Sequence, residues 1–242
     1  EPIVQELANE YLTEQGITIL NDITLNSVSN DGNKPVITAN GQHYTFDAVL
    51  YATGRKPNTA NIGLENTDIT TNERGAIVVN DTCESSVPGV YAVGDVNGGP
   101  QFTYISLDDF RIVFGALTGN GQYTLKDRKN IPYTTFLTPP LARVGLTEED
   151  AINKGYTVKT KEMLVATMPR AHVNDYLKGA FKIVVNAENN LILGATLYSQ
   201  GAEELINLIK MAMDNNIPYT YFKNQIFTHP TMAENLNDLC NF

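Results

Sequence analysis

The order of strands and helices after residue 131 is the feature of this sequence that most constrains its fold. Three stretches there have strand-like composition, Thr157–Met168, Ala180–Asn186 and Leu191–Tyr198, and Asn189-Asn190 is a typical turn pair between the last two. Strands joined by so short a turn run antiparallel. A helix with one apolar face is predicted directly afterwards, over Ala202–Asn215. This region is therefore predicted to be an α+β domain, an antiparallel sheet with helices.

The residues before 131 follow a different pattern. A helix is predicted over Pro2–Gln15, and short unbroken apolar runs occur at Asp47–Ala52 and Gly89–Val93. Unbroken apolar strands suit a sheet that is covered on both faces, as in α/β folds. Further strands are predicted at Ile17–Leu20, Asp22–Ser29, Lys34–Ala39 and Gln42–Phe46, with a helix at Ser106–Leu117.

Composition excludes several classes of function. The chain has 242 residues, a formal net charge of −10 and no cluster of Lys or Arg, whereas nucleic-acid binding depends on basic residues that neutralise phosphates. No apolar run approaches the ~20 residues that span a bilayer, so we expect neither a nucleic-acid nor a membrane partner. The two cysteines, Cys83 and Cys240, are too few for a disulfide scaffold or a zinc site of paired cysteines. We therefore expect no metal site and a reducing, cytoplasmic compartment.

A candidate proton-transfer pair lies near the end of the sequence, where His229-Pro230-Thr231 is followed by Glu234. The imidazole has an unperturbed pKa close to neutral pH, and a carboxylate can fix its tautomer and favour its charged form. Pro230 restricts the backbone of His229 and so helps to set the direction of the ring. His229 and Glu234 are therefore catalytic candidates, although a His beside a Pro is more often an ordinary loop residue.

A second candidate site follows the apolar run that ends at Gly94-Asp95. A glycine there brings the backbone close to a ligand, and the Asp offers a carboxylate that accepts hydrogen bonds from sugar-like hydroxyls. Gln101–Tyr104 lead into the helix at Ser106, whose N-terminus carries partial positive charge and suits an anionic ring system or a phosphate. A buried strand with an Asp that caps a helix is the alternative, and these residues alone leave both open.

Three motifs in this order resemble the flavoprotein disulfide reductases, the family of glutathione reductase, dihydrolipoamide dehydrogenase and mercuric reductase. Thr82–Asp95 is similar to the family's second FAD-binding fingerprint, and Ala52–Asn58 to the linker between its NAD(P) and FAD domains. Ile131–Phe242 is similar to its dimerisation domain. Met168–Ala171 and Asn224–Pro230 look closest to the bacterial reactive-chlorine-resistance branch, whose reductases are linked to hypothiocyanous acid and copper(II).

The resemblance implies partial α/β dinucleotide-binding domains before residue 131, and with them a domain order and a set of roles. Residues 1–57 would be the C-terminal part of an NAD(P)-binding domain, 58–130 the second segment of an FAD-binding domain, and 131–242 a dimerisation domain that forms a homodimer. The cofactors would be FAD and NAD(P)H, and the substrate a small-molecule oxidant or a disulfide. Asp95 would bind the flavin's ribityl chain, and His229, oriented by Glu234, would act as acid and base toward a cysteine thiol at the flavin of the partner subunit. The implied cofactor-binding residues are Gly54, Arg55, Gly94, Asp95, Gln101, Phe102, Thr103 and Tyr104.

Two parts of that family do not occur in this sequence: a Gly-x-Gly-x-x-Gly loop and a closely spaced redox cysteine pair. Cys83 is interpreted as a small buried hydrophobe, and Cys240 as an incidental thiol in a disordered end. We expect the chain to be the C-terminal half of a longer reductase that is inactive as this piece and binds FAD weakly or not at all. The alternative is a non-catalytic dimerisation or interaction module.

Overall fold

The computed structural model describes residues 1–242 and divides them into two compact units. The first contains residues 1–21 and 129–242, and the second contains residues 22–128. The three-domain division with boundaries at 57 and 130 stays a prediction. No helix in the chain is both long and apolar enough to cross a membrane.

A five-stranded antiparallel sheet forms the centre of the first unit. Its strands are β4 (Tyr133–Thr135), β5 (Leu141–Gly145), β6 (Val158–Leu164), β7 (Ala180–Asn186) and β8 (Ile192–Tyr198). Their order in the sheet is β4-β5-β8-β7-β6. This confirms the predicted α+β class and the hairpin between β7 and β8, where Asn190 adopts the left-handed conformation with φ 63°.

Six helices belong to this unit, and they cover both faces of the sheet. They are α1 (Pro2–Glu14), α3 (Glu148–Asn153), α4 (Pro169–Val173), α5 (Ala202–Asp214), α6 (Tyr219–Asn224) and α7 (Asn235–Leu239). Successive strand residues point to opposite faces. Phe181 and Leu197 therefore pack in the main core with α5 and α7, whereas Tyr198 packs with Val4 and Tyr11 of α1.

The second unit contains a three-stranded antiparallel meander and one long helix. The meander consists of β1 (Leu25–Asp31), β2 (Lys34–Ala39) and β3 (Gln42–Thr45), close to the predicted strands. Asn40 and Gly41 connect β2 to β3 with positive φ values of 49° and 76°, as the predicted hairpin turn requires. The helix α2 (Thr103–Thr118) begins three residues before the predicted start at Ser106.

Three predicted strands are wrong. Residues 17–20 and 47–52 form no strand, and of the run at 89–93 only Tyr91 makes an isolated bridge, to Glu84. Leu50 and Tyr51 are 89% and 65% exposed instead of buried on both faces. A strand needs a neighbour that takes up its backbone hydrogen bonds, and no strand of the chain is paired with these runs.

Candidate functional site

The imidazole of His229 and the carboxylate of Glu234 are paired in the loop between α6 and α7. His229 Nδ1 lies 2.8 Å from Glu234 Oε2. The N–H of Thr231 donates to Glu234 Oε1 at 3.0 Å, and the N–H of Glu234 donates back to Thr231 Oγ1 at 3.2 Å. These reciprocal hydrogen bonds fix the carboxylate in the turn before α7, of which Glu234 is the N-cap residue. The structure thus brings the two predicted catalytic candidates together.

The environment of this pair suits transfer of a proton to an external group. The hydrogen bond from His229 holds the pKa of the Glu234 carboxyl below its usual value, with a smaller contribution in the same direction from the N–H of Thr231. The His229 side chain is 69% exposed while that of Glu234 is 20% exposed. Nε2 of His229 makes no hydrogen bond within the chain, so the carboxylate orients the ring and the opposite nitrogen faces outward.

The turn that carries Asp95 lies in the second unit, against the first turn of α2. Gly94–Asn97 form a 3₁₀ turn in which Gly94 has φ 74°. A Cβ on Gly94 would lie 2.6 Å from Ser106 Oγ, so only glycine allows this close approach. The Asp95 side chain is 40% exposed, and its Oδ2 lies 3.6 Å from Arg55 Nη1. Two predicted cofactor-binding residues are therefore neighbours.

The other predicted cofactor-binding residues surround the start of α2 or lie near Arg55. The helix has Phe102 as its N-cap with no side-chain cap, and the ring of Phe102 stacks on that of Tyr104 at 5.0 Å. Gln101 and Thr103 are exposed. Gly54 is exposed with φ 103°, a left-handed conformation that allows a turn beside Arg55.

These residues fit an extended, hydroxyl-bearing cofactor with an electron-rich ring. An exposed carboxylate can accept hydrogen bonds from hydroxyls. The start of a 16-residue helix without a side-chain cap carries partial positive charge that stabilises negative charge on a bound group. The turn that carries Asp95 and the start of α2 lie close together, because Gly94 of the turn packs against Ser106 of the helix.

Comparison with known proteins identifies the family. Residues 1–109 match the family of pyridine nucleotide-disulphide oxidoreductases, and residues 131–240 match the dimerisation domain of the same enzymes. The chain belongs to the pyridine nucleotide-disulphide oxidoreductase family. The residues of both candidate sites, His229–Glu234 and Gly94–Tyr104, lie within the two matched regions.

Bacterial enzymes are among the relatives to which this chain is similar. It is 44% identical over 228 residues to the probable pyridine nucleotide-disulfide oxidoreductase RclA of Escherichia coli, covering 94% of the chain and 52% of that relative. It is 35% identical over 240 residues to mercuric reductase of Staphylococcus aureus, covering 98% and 44%. The solved HOCl-induced flavoprotein disulfide reductase RclA from Escherichia coli matches with a TM-score of 0.94 at 42% identity, over 98% of the chain and 55% of that structure. The chain thus spans about half the length of these relatives.

The two cysteines of this family member are both free and buried. Burial raises the pKa of the Cys83 thiol to about 11 and that of Cys240 to about 12. The prediction for Cys83 is confirmed, since it is 0% exposed. The prediction of a disordered, incidental Cys240 is wrong, because this residue ends α7 and packs in the main core at 0% exposure. No group of three or more His, Cys, Asp or Glu could hold a metal ion.

Sequence reasoning missed the roles of two residues that support the His229–Glu234 pair. Thr231 belongs to a Thr-x-x-Glu pattern that could have been read as a capping box. Asn237 donates to the carbonyls of Phe222 and Gln225, at 2.6 and 2.9 Å, and so ties α7 to the end of α6. No local signal points to Asn237, because its partners are 12 and 15 residues away.

Proposed function

We propose that this chain is the C-terminal half of an FAD-dependent, NAD(P)H-oxidising disulfide-type reductase. It supplies part of the flavin site, a His-Glu acid/base pair and the dimer interface. The observation that carries the proposal is the assembled His229–Glu234 pair, with Nδ1 held at 2.8 Å by the carboxylate and the rest of the ring exposed. The flavin and the thiol that this imidazole serves would belong to the partner subunit of the longer protein.

The residues Gly94, Asp95 and Gln101–Tyr104 would hold the flavin. Bound FAD would accept electrons from NAD(P)H and pass them toward a disulfide or another oxidant. Asp95 would accept hydrogen bonds from hydroxyls of the ribityl chain, since its carboxylate is partly exposed. The backbone at the start of α2 would face the electron-rich side of the ring. Arg55 balances the charge of Asp95 at 3.6 Å.

The role of His229 follows from its surroundings. Glu234 orients the imidazole through Nδ1, so Nε2 would take a proton from a cysteine thiol and later return it. Thiolate, not thiol, is the reactive species in disulfide chemistry. Neither cysteine of this chain suits that role, because both are fully buried with raised pKa values.

A homodimer through residues 131–242 is consistent with exposed apolar side chains in this region. Ile226, three residues before His229, is 92% exposed, and Phe136 and Met211 are 78% and 60% exposed. Side chains of this kind are enriched in the centres of protein interfaces. A non-catalytic dimerisation module is the alternative function, since the same apolar surface would serve it equally well.

The experiment that tests the proposal is a chimera in which this chain replaces the matching region of the E. coli relative. We expect the chimera to be yellow, dimeric and able to oxidise NADH or NADPH. His229→Ala should leave the dimer intact and slow the thiol step by about 10²–10⁴-fold, the usual contribution of general acid–base catalysis. His172→Ala is the matched control, because His172 lies in the same unit and bonds only to the carbonyl of Ala166.

The outcomes separate the two functions. A colourless chimera, or one that is inert toward both nicotinamide cofactors after FAD is added, would contradict the reductase. If His229→Ala changed association or folding and left the thiol step untouched, the dimerisation module would be the better description. We further propose a cytoplasmic location and a small-molecule oxidant or disulfide as substrate. A reactive-chlorine-derived oxidant is favoured, because the similar E. coli reductase is HOCl-induced.

A further inference from the structure

A buried carboxylate, Asp109, lies directly behind the turn that carries Asp95. It belongs to α2 and is 0% exposed. Its Oδ2 accepts hydrogen bonds from the N–H of Gly94 at 2.8 Å and from Asn97 Nδ2 at 2.9 Å. These two donors are the first and last residues of the 3₁₀ turn. One carboxylate oxygen thus fixes both ends of a four-residue segment.

The second oxygen of Asp109 is paired with a guanidinium. Arg128 Nη2 donates to Asp109 Oδ1, and Arg128 Nε donates to Asp108 Oδ2 at 2.7 Å. The Arg128 side chain is only 10% exposed. Burial alone lowers the pKa of Arg128, but hydrogen bonds to the two carboxylates outweigh this effect and raise it. Arg128 therefore compensates a charge that would otherwise be costly to bury.

Packing alone does not account for an ionised side chain at this position. An apolar residue of similar volume would fill the space beside Ile105 and Ile112, the buried apolar residues of α2, without the cost of removing a charge from water. What an apolar residue cannot do is accept hydrogen bonds from the turn. Hydrogen bonds to an ionised acceptor are shorter and stronger than those to a neutral one. The ionised carboxylate of Asp109 therefore stabilises the conformation of the Gly94–Asn97 turn.

We propose that Asp109 is a positioning residue for the flavin site, which holds the Gly94–Asn97 turn in the shape that presents Asp95 to the ribityl hydroxyls. This inference rests on the proposed function, because it assumes that Asp95 binds flavin. Asp109 itself does not touch the cofactor, since its carboxylate is fully buried and its partners are Gly94, Asn97 and Arg128.

The test combines amide hydrogen exchange of the purified chain with FAD titration of the cofactor-free chimera, in which the E. coli relative supplies the rest of the flavin site. The exchange rate of the Gly94 N–H reports on the turn without any cofactor, and quenching of flavin fluorescence gives the dissociation constant for FAD. In Asp109→Ala we expect exchange at Gly94 to rise about tenfold or more, and FAD affinity to fall by a similar factor, as for loss of a hydrogen bond to a charged group. Amides of α5, in the other unit, serve as the internal reference for global opening.

Two further variants distinguish positioning from a general structural role. Asp109→Asn keeps one carbonyl oxygen for Gly94 and Asn97, so it should recover part of the FAD affinity that Asp109→Ala loses. Asp108→Asn is the matched control, because Asp108 shares Arg128 but makes no hydrogen bond to the turn. It should leave exchange at Gly94 and FAD affinity within about twofold of the wild type, since the acceptor of the turn is retained. If the role of Asp109 were purely structural, the unfolding midpoint would fall in all three variants. FAD affinity would then not follow the order Asp108→Asn, Asp109→Asn, Asp109→Ala from tightest to weakest.

The results that would overturn the inference differ from those that would overturn the proposed function. Unchanged exchange at Gly94 in Asp109→Ala would refute the positioning role. The positioning role would also be refuted if Asp109→Ala bound FAD as tightly as the unsubstituted chimera while Asp95→Asn did not. In that case the assignment of Asp95 to the flavin site would still hold. If FAD bound to neither the unsubstituted chimera nor any of its variants, or if Asp95→Asn bound FAD as the unsubstituted chimera does, the assignment of Asp95 to flavin would fail and the positioning role with it.

Discussion

The sharpest stability prediction concerns Lys182, a buried cation that holds α1 on the sheet. Its Nζ lies 2.8 Å from Glu1 Oε2, 2.7 Å from Glu148 Oε2 and 3.0 Å from Glu162 Oε1. The side chains of Lys182 and Glu1 are 6% and 3% exposed, whereas those of Glu148 and Glu162 are 37% and 42% exposed. Burial alone lowers the pKa of Lys182, but hydrogen bonds to the three carboxylates raise it above its ordinary value.

The change to make is Lys182→Met, which keeps an unbranched side chain, one atom shorter, and removes the charge. The carboxylate of Glu1 would then be buried without a cation, and breaking a buried pair in this way costs about 3–5 kcal/mol of the free energy of unfolding. The two partly exposed carboxylates add little, because water already solvates them. Glu1→Gln should cost less, since Lys182 keeps two partners. In the double variant the losses should not add, with a coupling of about 1–3 kcal/mol.

Urea unfolding followed by circular dichroism gives these free energies, and amide exchange of α1 shows whether this helix is released. Burial alone would raise the pKa of Glu1, but hydrogen bonds from Lys182 and from the N–H of Glu148 lower it. The stabilisation by Glu1 is therefore present above its unfolded pKa and is lost as pH falls through the folded pKa. For Lys182 it is present below the unfolded pKa and lost as pH rises through the folded value. The difference between wild type and Lys182→Met should consequently shrink in acid.

Lys210→Met is the control for this prediction. Lys210 pairs with Asp214 along one face of α5, and both side chains are about one-third exposed (32% and 31%). Its loss should cost about 0.3–0.5 kcal/mol, as for other helix surface pairs. The reasoning about Lys182 would be refuted if Lys182→Met were no more destabilising than Lys210→Met, or if the losses from Lys182→Met and Glu1→Gln were simply additive.

Two further predictions follow from backbone and thiol geometry. Gly94→Ala should lower the free energy of unfolding by about 1–3 kcal/mol more than Gly89→Ala. Both glycines have positive φ, but of the two only Gly94 would bring an added Cβ against another atom, Ser106 Oγ at 2.6 Å. Equal urea midpoints for the two variants would contradict this contact. Cys83 and Cys240, with pKa values of about 11 and 12, should react with Ellman's reagent in mildly alkaline buffer only after unfolding. Rapid labelling of either thiol in the native chain would show that it is not buried.

Much of the fold could be predicted where the signal is local. The hairpin between β7 and β8 and the turn at Asn40-Gly41 were predictable because short Asn-containing turns demand positive φ. The acidic first turn of α3 was predictable as well, and Thr147 closes it with a capping box to Asp150. Each of these signals lies within a few residues of the structure that it specifies.

The strand predictions failed where they depended on distant partners. An apolar run such as 47–52 indicates burial, but it does not say which segment covers it, and Leu50 is in fact 89% exposed. Cys240 shows the opposite error. Its position near the end of the sequence suggested disorder, whereas α7 carries it into the core beside Leu236 and Leu239. Burial is decided by tertiary packing, which a single sequence does not display.

The difference between local and distant sequence signals also separates the two candidate sites. His229 and Glu234 are five residues apart, so a motif of a few residues could identify both members and even their hydrogen bond. Asp109 accepts a hydrogen bond from Gly94, which lies 15 residues earlier in the sequence, and one from Arg128, which lies 19 residues later. Nothing in the local sequence around Asp109 distinguishes it from its neighbour Asp108, which makes no hydrogen bond to the turn. Only its burial and its two donors from one turn reveal a role, which is why its proposed effect on Asp95 must be tested at the Gly94 amide as well as through the cofactor.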